Sequence, residues 1–332
     1  MKDFKNIAVL LATFNGERYL ESQIDSILAQ IGVNIHLFVR DDGSTDRTMA
    51  ILNSYKERFP SQVSLVEKKG SKSGHLANFS SLCDFALKTE YQYFSFADQD
   101  DIWEKDKLDV SLSNLISVEQ LSDSLKPVLV HSDLQVVDEE AVEIAPSFID
   151  YQGLPCPTKH NFPQLLHQNV VTGCTILFNR ALLSLALPIP TNAVIHDFWF
   201  AQCAKYMGEL LFVNRPLVRY RQHGINAVGA VSLKEQKSVF KKYFYYTLVR
   251  FPYHMRKAVH QAYFLEKRAI ERNIAVSAES HQYIAEFGGL LNINGFNRIR
   301  QISIFFKGER SIAQKLYLRM VFWLLPYIKF KS

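Results

Sequence analysis

"FSFADQDDIW", residues 94–103, is the stretch on which the reading of this chain turns. Residues 91–97, "YQYFSFA", form an apolar run of strand length, and it stops at Asp98. Asp98, Asp100 and Asp101 put three carboxylates within four positions, and Ile102 and Trp103 follow. Like charges this close repel one another, and apolar residues on both sides place them at the edge of a core, where unpaired charge is costly. Two carboxylates at i and i+2, on a turn leaving a strand, can converge on one hard cation. Mg²⁺ or Mn²⁺ takes oxygen ligands and keeps places for water and substrate phosphates. The competing reading is a solvated acidic loop, which the bracketing apolar residues disfavour.

Upstream, the same grammar repeats. "NIAVLLA" (6–12) is a continuous apolar run, as a buried parallel strand requires. In the following "TFNGERYLESQIDSILAQ", Leu20, Ile24, Ile27, Leu28 and Ile31 recur at helical spacing, with Asn15 read as the cap. "IHLFVR" (35–40) is a second strand, and Met49, Ile51, Leu52 and Tyr55 mark a second helix. "VSLVE" (63–67) is a third strand, and residues 75–89 read as helix. Strands alternating with helices of this length predict an α/β fold built on a mostly parallel, doubly wound sheet. Ligands of such sheets bind beyond the carboxyl ends of the strands. Three polar clusters fall there: "TFNGE", "RDDGSTD" and "DQDD". In "DDGS", Asp41 and Asp42 either serve an ordinary turn, with Asp42 or Ser44 capping, or accept hydrogen bonds from a base or ribose.

The pattern changes after about residue 125. "PVLVHSDLQVVD" and "VVTGCTILFN" are strand-like but far apart, and "HDFWFAQCAKYMG" (196–208) reads as a helix. "ELLFVNRPLVRYRQHG" reads as two short strands around Pro216, and beyond about residue 233 amphipathic helix predominates. Asp197, before an apolar helix, is either an N-cap or a general base. His223 stands near Arg219 and Arg221. In a pocket holding a diphosphate and a metal, such a His can ligate the metal and an Arg can hold phosphate.

The chain has 332 residues, 48% hydrophobic and 21% charged, which fits a folded protein of one large and one smaller unit rather than a disordered one. Residues 1–6 lead into the first strand with no signal-peptide pattern. Cys83, Cys156, Cys174 and Cys203 form no CxxC pair, so reduced thiols are expected rather than a zinc site. Charge is unevenly placed. Residues 233–332 carry 18 Lys or Arg against 6 Asp or Glu, a net +12, while residues 1–232 carry 20 against 27, a net −7. No run of 18 apolar residues exists that could span a bilayer.

Taken in order, "LLATFNGERYLESQIDSIL", "VRDDGSTDRT", "GHLANFSSL", "FADQDDIW", "HDFW" and "YRQHG" resemble glycosyltransferase family 2, of the GT-A fold, and most closely its bacterial rhamnosyltransferases. The resemblance covers about residues 5–230. It implies a GT-A catalytic domain at 1–232, with a donor half at 1–125 and an acceptor half at 126–232. A basic, mostly helical C-terminal region at 233–332 follows. It implies inverting, metal-dependent transfer of a sugar from a nucleotide sugar, dTDP-L-rhamnose before a UDP-hexose, to a glycan or lipid-diphosphate-linked acceptor of cell-surface polysaccharide synthesis. Thr13, Asn15, Glu17, Asp41, Asp42, Asp98 and Arg221 would bind the nucleotide sugar. Asp98 and Asp100, with His223, would hold Mn²⁺ or Mg²⁺. Asp197 would be the catalytic base, with His196 where the family often has Glu.

The basic C-terminal region, where Lys and Arg interleave with Phe, Tyr, Leu and Trp, has two readings: a solvated face, or a contact with an anionic membrane surface or another copy of the chain. No nucleic-acid motif is present. The expected location is cytoplasmic, on the inner face of the cell membrane. Two other functions compete with the transferase. A nucleotidyltransferase would show a basic, Gly-rich loop after strand one, whereas "ATFNGE" has no basic residue before Arg18. An inactive nucleotide-sugar-binding scaffold would not need every acidic motif intact.

Overall fold

The computed structural model describes residues 4–68, 73–121, 126–223, 251–306 and 312–327, the side chains of 302–304 and 312–314 apart. The expected domain boundary at 232/233 lies outside these residues, as does most of "YRQHGINAVG".

The first half runs β1 (Asn6–Thr13), α1 (Leu20–Leu28), β2 (Asn34–Asp41), α2 (Thr48–Arg58), β3 (Val63–Leu65), α3 (His75–Ala86) and β4 (Tyr93–Ala97). β5 (Ile102–Trp103), α4 (Lys107–Glu119), β6 (Val128–Val137), β7 (Glu143–Ala145), α5 (Phe148–Gln152), α6 (Phe162–Leu165), β8 (Leu177–Asn179), α7 (Arg180–Ala186), α8 (His196–Met207) and β9 (Glu209–Arg221) follow. Four helices close the described chain: α9 (Phe251–Glu271), α10 (Ala278–Gly288), α11 (Gly295–Phe305) and α12 (Ile312–Leu324).

The nine strands found among the described residues form one sheet in the order β3-β2-β1-β4-β8-β6-β9-β5, with β7 on β6. β3, β2, β1 and β4 are parallel, so the doubly wound reading holds for this half. Beyond β4 the sheet is mixed: β8 is antiparallel to both β4 and β6, β9 is parallel to β6, and β5 is antiparallel to β9. The register pairs Thr13 with Asp41 and Leu11 with Ala97, which gathers the acidic strand ends at one edge.

Helices cover both faces of the sheet, and β1 shows why its sequence is apolar throughout. Ile7, Val9 and Leu11 pack with α1, α2 and α4, while Ala8 and Leu10 enter a second core with α3, α7 and α8. That second core also takes Met255 and Val259 of α9, Phe287 of α10, Phe305 of α11 and Phe322 of α12. The C-terminal helices therefore share the core of the sheet's second face. Arg268 of α9 reinforces the join, donating to the carbonyls of Leu185, Leu187 and Pro188.

Three local expectations change. The segment 209–221 is one strand, not two. Pro216 has no N–H to give to the ladder, and the β6–β9 register slips where it faces Asp133. In "VVTGCTILFN" only Leu177–Asn179 is strand, and Gly173–Thr175 form a tight 3-10 turn. Asn15 does not cap α1. It sits at φ 48°, and its Oδ1 accepts from the Thr45 N–H at 2.8 Å.

Candidate active site

A cleft of about 1490 Å³ opens at the carboxyl edge of the parallel strands. Thr13, Asn15, Asp42, Asp98, Asp100 and Asp197 all line it, and so does His223. Residues 251–306 contribute Phe251, His254 and Phe306 to its wall.

The loop after β1 is built on close approach. Gln99 of "DQDD" accepts from the Phe14 N–H at 2.8 Å and donates to the Phe14 carbonyl at 3.0 Å. A Cβ on Gly16 would stand 2.4 Å from Gln99 Oε1, so this position excludes any larger residue while Gln99 stays in place. Glu17 does not line the cleft. Its carboxylate accepts from the Arg47 N–H at 2.8 Å and ties this loop to the next.

The two aspartates of "DDGS" divide their work. Asp41 accepts from Thr13 Oγ1 at 3.0 Å, from the N–H groups of Gly43 and Ser44 at 2.8 and 2.7 Å, and from Ser44 Oγ at 2.5 Å. It holds the turn with the chain's own donors. Asp42 faces the cleft, where it accepts from the Gly74 N–H at 2.6 Å and pairs with Lys68 at 3.1 Å.

The four residues of "DQDD" separate in the same way. Asp98 lies 3.5 Å from His75 Nε2, and Asp100 lies 2.8 Å from His223 Nε2. Asp101 is fully buried beneath them. Burial, then the charges of Asp100 and Asp98, push its carboxyl far above the usual range. Its companion Cys174 is buried too, and burial raises that thiol. Ligand atoms of Asp98, Asp101 and Cys174 lie within 4.8 Å of one another. Of those three only Asp98 lines the cleft, together with Asp100 and His223. Lys107 stands behind, its Nζ 3.1 Å from Ser95 Oγ and 3.7 Å from the centre of the Trp103 ring; burial brings it down to about 7. Arg221 does not line the cleft. It donates to the Asp100 carbonyl at 3.1 Å and lies over the Tyr19 ring, fixing the loop instead.

Asp197 sits one residue inside α8, where its Oδ1 accepts from Asn169 Nδ2 at 3.1 Å and its Oδ2 from the Gly173 N–H at 3.0 Å. Burial lifts its pKa to about 7; the nearby charge of His75 and hydrogen bonds from Phe198 and Gly173 hold the rise in check. A carboxylate poised near neutrality is suited to taking a proton. His196 is stacked on Phe79 at 3.8 Å, and burial followed by the charge of His75 keeps its imidazole neutral. For His75 itself, burial pulls downward, but the hydrogen bond and charge of Asp98 outweigh it, and the net shift is upward. Sequence reasoning missed His75, Asn169 and Gly173 as site residues. "GHLANF" placed a His after a strand end, but nothing local connected residue 169 or 173 to residue 197.

The parallel half of the sheet, its acidic edge and a buried carboxylate meet in one cleft, and the fold is that of GT-A glycosyltransferase structures. Residues 8–116 match the family described as glycosyl transferase family 2, and the chain carries a domain of that family. It is 28% identical over 228 residues to the dTDP-rhamnosyl transferase RfbG of Shigella flexneri, covering 66% of this chain and 74% of that one. Among solved structures, TarS 1-349 of S. aureus superposes with a TM-score of 0.54 at 16% identity, over 96% of this chain and 80% of that one. GalNAc-T7 with UDP, GalNAc and Mn²⁺ superposes at 0.55 and 15% identity, over 86% of this chain and 57% of that one. At these identities the structural likenesses speak for the fold alone.

Proposed function

We propose that the protein moves a sugar, with inversion, from a nucleoside diphosphate to a hydroxyl of a glycan or lipid-linked acceptor in cell-surface polysaccharide synthesis. The donor we assign is dTDP-L-rhamnose, on the strength of the rhamnosyl transferase relative. The observation that carries the transfer chemistry is Asp197, a carboxylate near neutrality, oriented from two sides and lining the same cleft as the acidic strand ends.

Each residue then has a task. Thr13, Asn15 and Asp42 line the part of the cleft beside β1 and β2, where hydroxyl, amide and carboxylate groups can meet base and ribose. Glu17 and Asp41 shape those loops, and Arg221 holds the backbone of Asp100. Asp98 and Asp100, with His223, would hold Mn²⁺ or Mg²⁺, whose charge, when bound, would favour departure of the diphosphate. The acceptor hydroxyl gives its proton to Asp197 as its oxygen bonds to the anomeric carbon and the bond to the diphosphate oxygen breaks. Asn169 and Gly173 keep the carboxylate pointed during that transfer.

Incubation with Mn²⁺ and a panel of nucleotide sugars tests this reading through slow hydrolysis. We expect dTDP release from dTDP-L-rhamnose to exceed release from any UDP-hexose. A reversed order reassigns the donor. Failure to hydrolyse any of them, with binding retained, points to a scaffold.

A further inference from the structure

α12 is apolar on two sides. Leu318, Val321, Phe322 and Leu325 are buried against the core. The opposite side is also apolar: Leu316, Met320, Trp323 and Leu324 recur at helical spacing and remain 41–57% exposed. Tyr327, just past the helix, and Phe296 of α11 extend the ridge at 77% and 78% exposure. Phe296 meets Trp323 edge-on at 5.2 Å between ring centres, so the two helices present one continuous apolar surface. This ridge is held firmly. Arg298 donates to the carbonyls of Phe322 and Trp323 at 3.0 Å each, and Arg256 donates to the Pro326 carbonyl at 3.0 Å.

Charge identifies what covers it. Lys315, Arg319 and Arg300 are exposed on these same two helices. From residue 295 to 331 the sequence holds eight Lys or Arg and a single Glu, a net +7. Exposed apolar groups that include Trp and Tyr, rimmed by cations, match the interface of a bilayer whose lipid headgroups are anionic. No helix among the described residues is long and apolar enough to cross a membrane, so the contact is one of surface seating.

We propose that the Phe296–Leu316–Met320–Trp323–Leu324–Tyr327 ridge docks the protein on an anionic lipid bilayer. The ridge and the cleft share a wall. On the buried side of α12, Phe322 packs on Phe306 at 5.4 Å, and Phe306 stacks on His167 at 4.1 Å and lines the cleft. If the transferase reading holds, a lipid-anchored acceptor reaches the cleft from the surface on which the enzyme sits.

The chain carries its own probe. Of its three tryptophans, Trp103 and Trp199 are buried and Trp323 is exposed. Vesicles containing phosphatidylglycerol should pellet the full-length protein and shift its tryptophan emission to the blue, whereas phosphatidylcholine vesicles should do neither. W323F should lose the emission shift, and M320S/L324S should lose pelleting while keeping the wild-type circular dichroism spectrum. Should that double variant unfold, the exposed charge variant K315E/R319E serves instead and should also lose pelleting. Equal recovery in the supernatant with both lipids overturns the proposal. So does a dimer, seen by light scattering, that M320S/L324S dissolves, because the ridge would then be covered by a second copy. Nucleotide-sugar hydrolysis retained alongside either of those results shows that docking alone has failed.

Discussion

At Asp197 burial and function pull in opposite directions. Its folded pKa of about 7 stands roughly 3 units above that of a free Asp, equivalent to about 4 kcal/mol of destabilisation once it ionises. A carboxyl whose folded pKa is raised contributes full stability below its unfolded pKa and loses it as pH rises through the folded value. In metal-free buffer, the Tm of the wild type should therefore fall between pH 5 and pH 8 more steeply than that of D197N. Activity runs the other way, since only the ionised form accepts a proton: kcat/KM should decline as pH drops below about 7. D197N should bind donor normally yet lose at least 10²-fold in turnover; turnover near wild type would remove Asp197 from the base role. Asp100→Ala should abolish Mn²⁺-dependent donor binding, and an unchanged calorimetric titration would count against the assigned ligands.

The 3-10 turn at Gly173–Thr175 does something no isolated residue could. It points a backbone N–H at Asp197 and leaves little room for a side chain: a Cβ on Gly173 would crowd His196 Nε2 at 3.1 Å and touch Asp197 Oδ2 at 3.4 Å. G173A should push the His196 ring beside the carboxylate by a few tenths of an ångström and lower kcat, with little change in donor affinity. A matching loss in donor affinity would mean the turn shapes the nucleotide subsite instead. The same stretch explains a limit of reading by pattern. "VVTGCTILFN" is apolar enough for a strand, but the fold bends its first half to serve α8. β9 errs in the other direction: Pro216 signals a break, and the sheet absorbs it with a register slip because strand pairing continues on both sides.

Across the molecule, the C-terminal helices complete the core that α3, α7 and α8 begin. Folding should therefore be cooperative across the sheet and the C-terminal helices. Calorimetry should give one transition, and R268M, which strands three carbonyls at the join, should lower stability by about 3 kcal/mol without splitting it. Two separated transitions would mark the C-terminal helices as an independent unit. The apolar cleft wall at Phe251 and Phe306 belongs to that same body, so this side of the cleft depends on helices that lie outside the family-matched residues 8–116.

Sequence by itself determined the alternation of strands and helices through residue 97 and the acidic ends of β1, β2 and β4. Hydrophobic periodicity is a local property, and a strand buried on both faces must be apolar along its length. It also marked Asp98, Asp100 and Asp197 as chemistry-bearing positions, through motif order. Only the tertiary structure decided which carboxylates are open to a ligand. Asp41 and Asp42 are neighbours of the same type, yet one is consumed by Thr13, Gly43 and Ser44 while the other faces the cleft. Asp100 and Asp101 part in the same way, one toward His223 and the other into the interior. A side chain's availability depends on the donors and the burial that distant segments bring to it. Asn169, Gly173 and Asp197 meet only because β8, its preceding turn and α8 close on the sheet together.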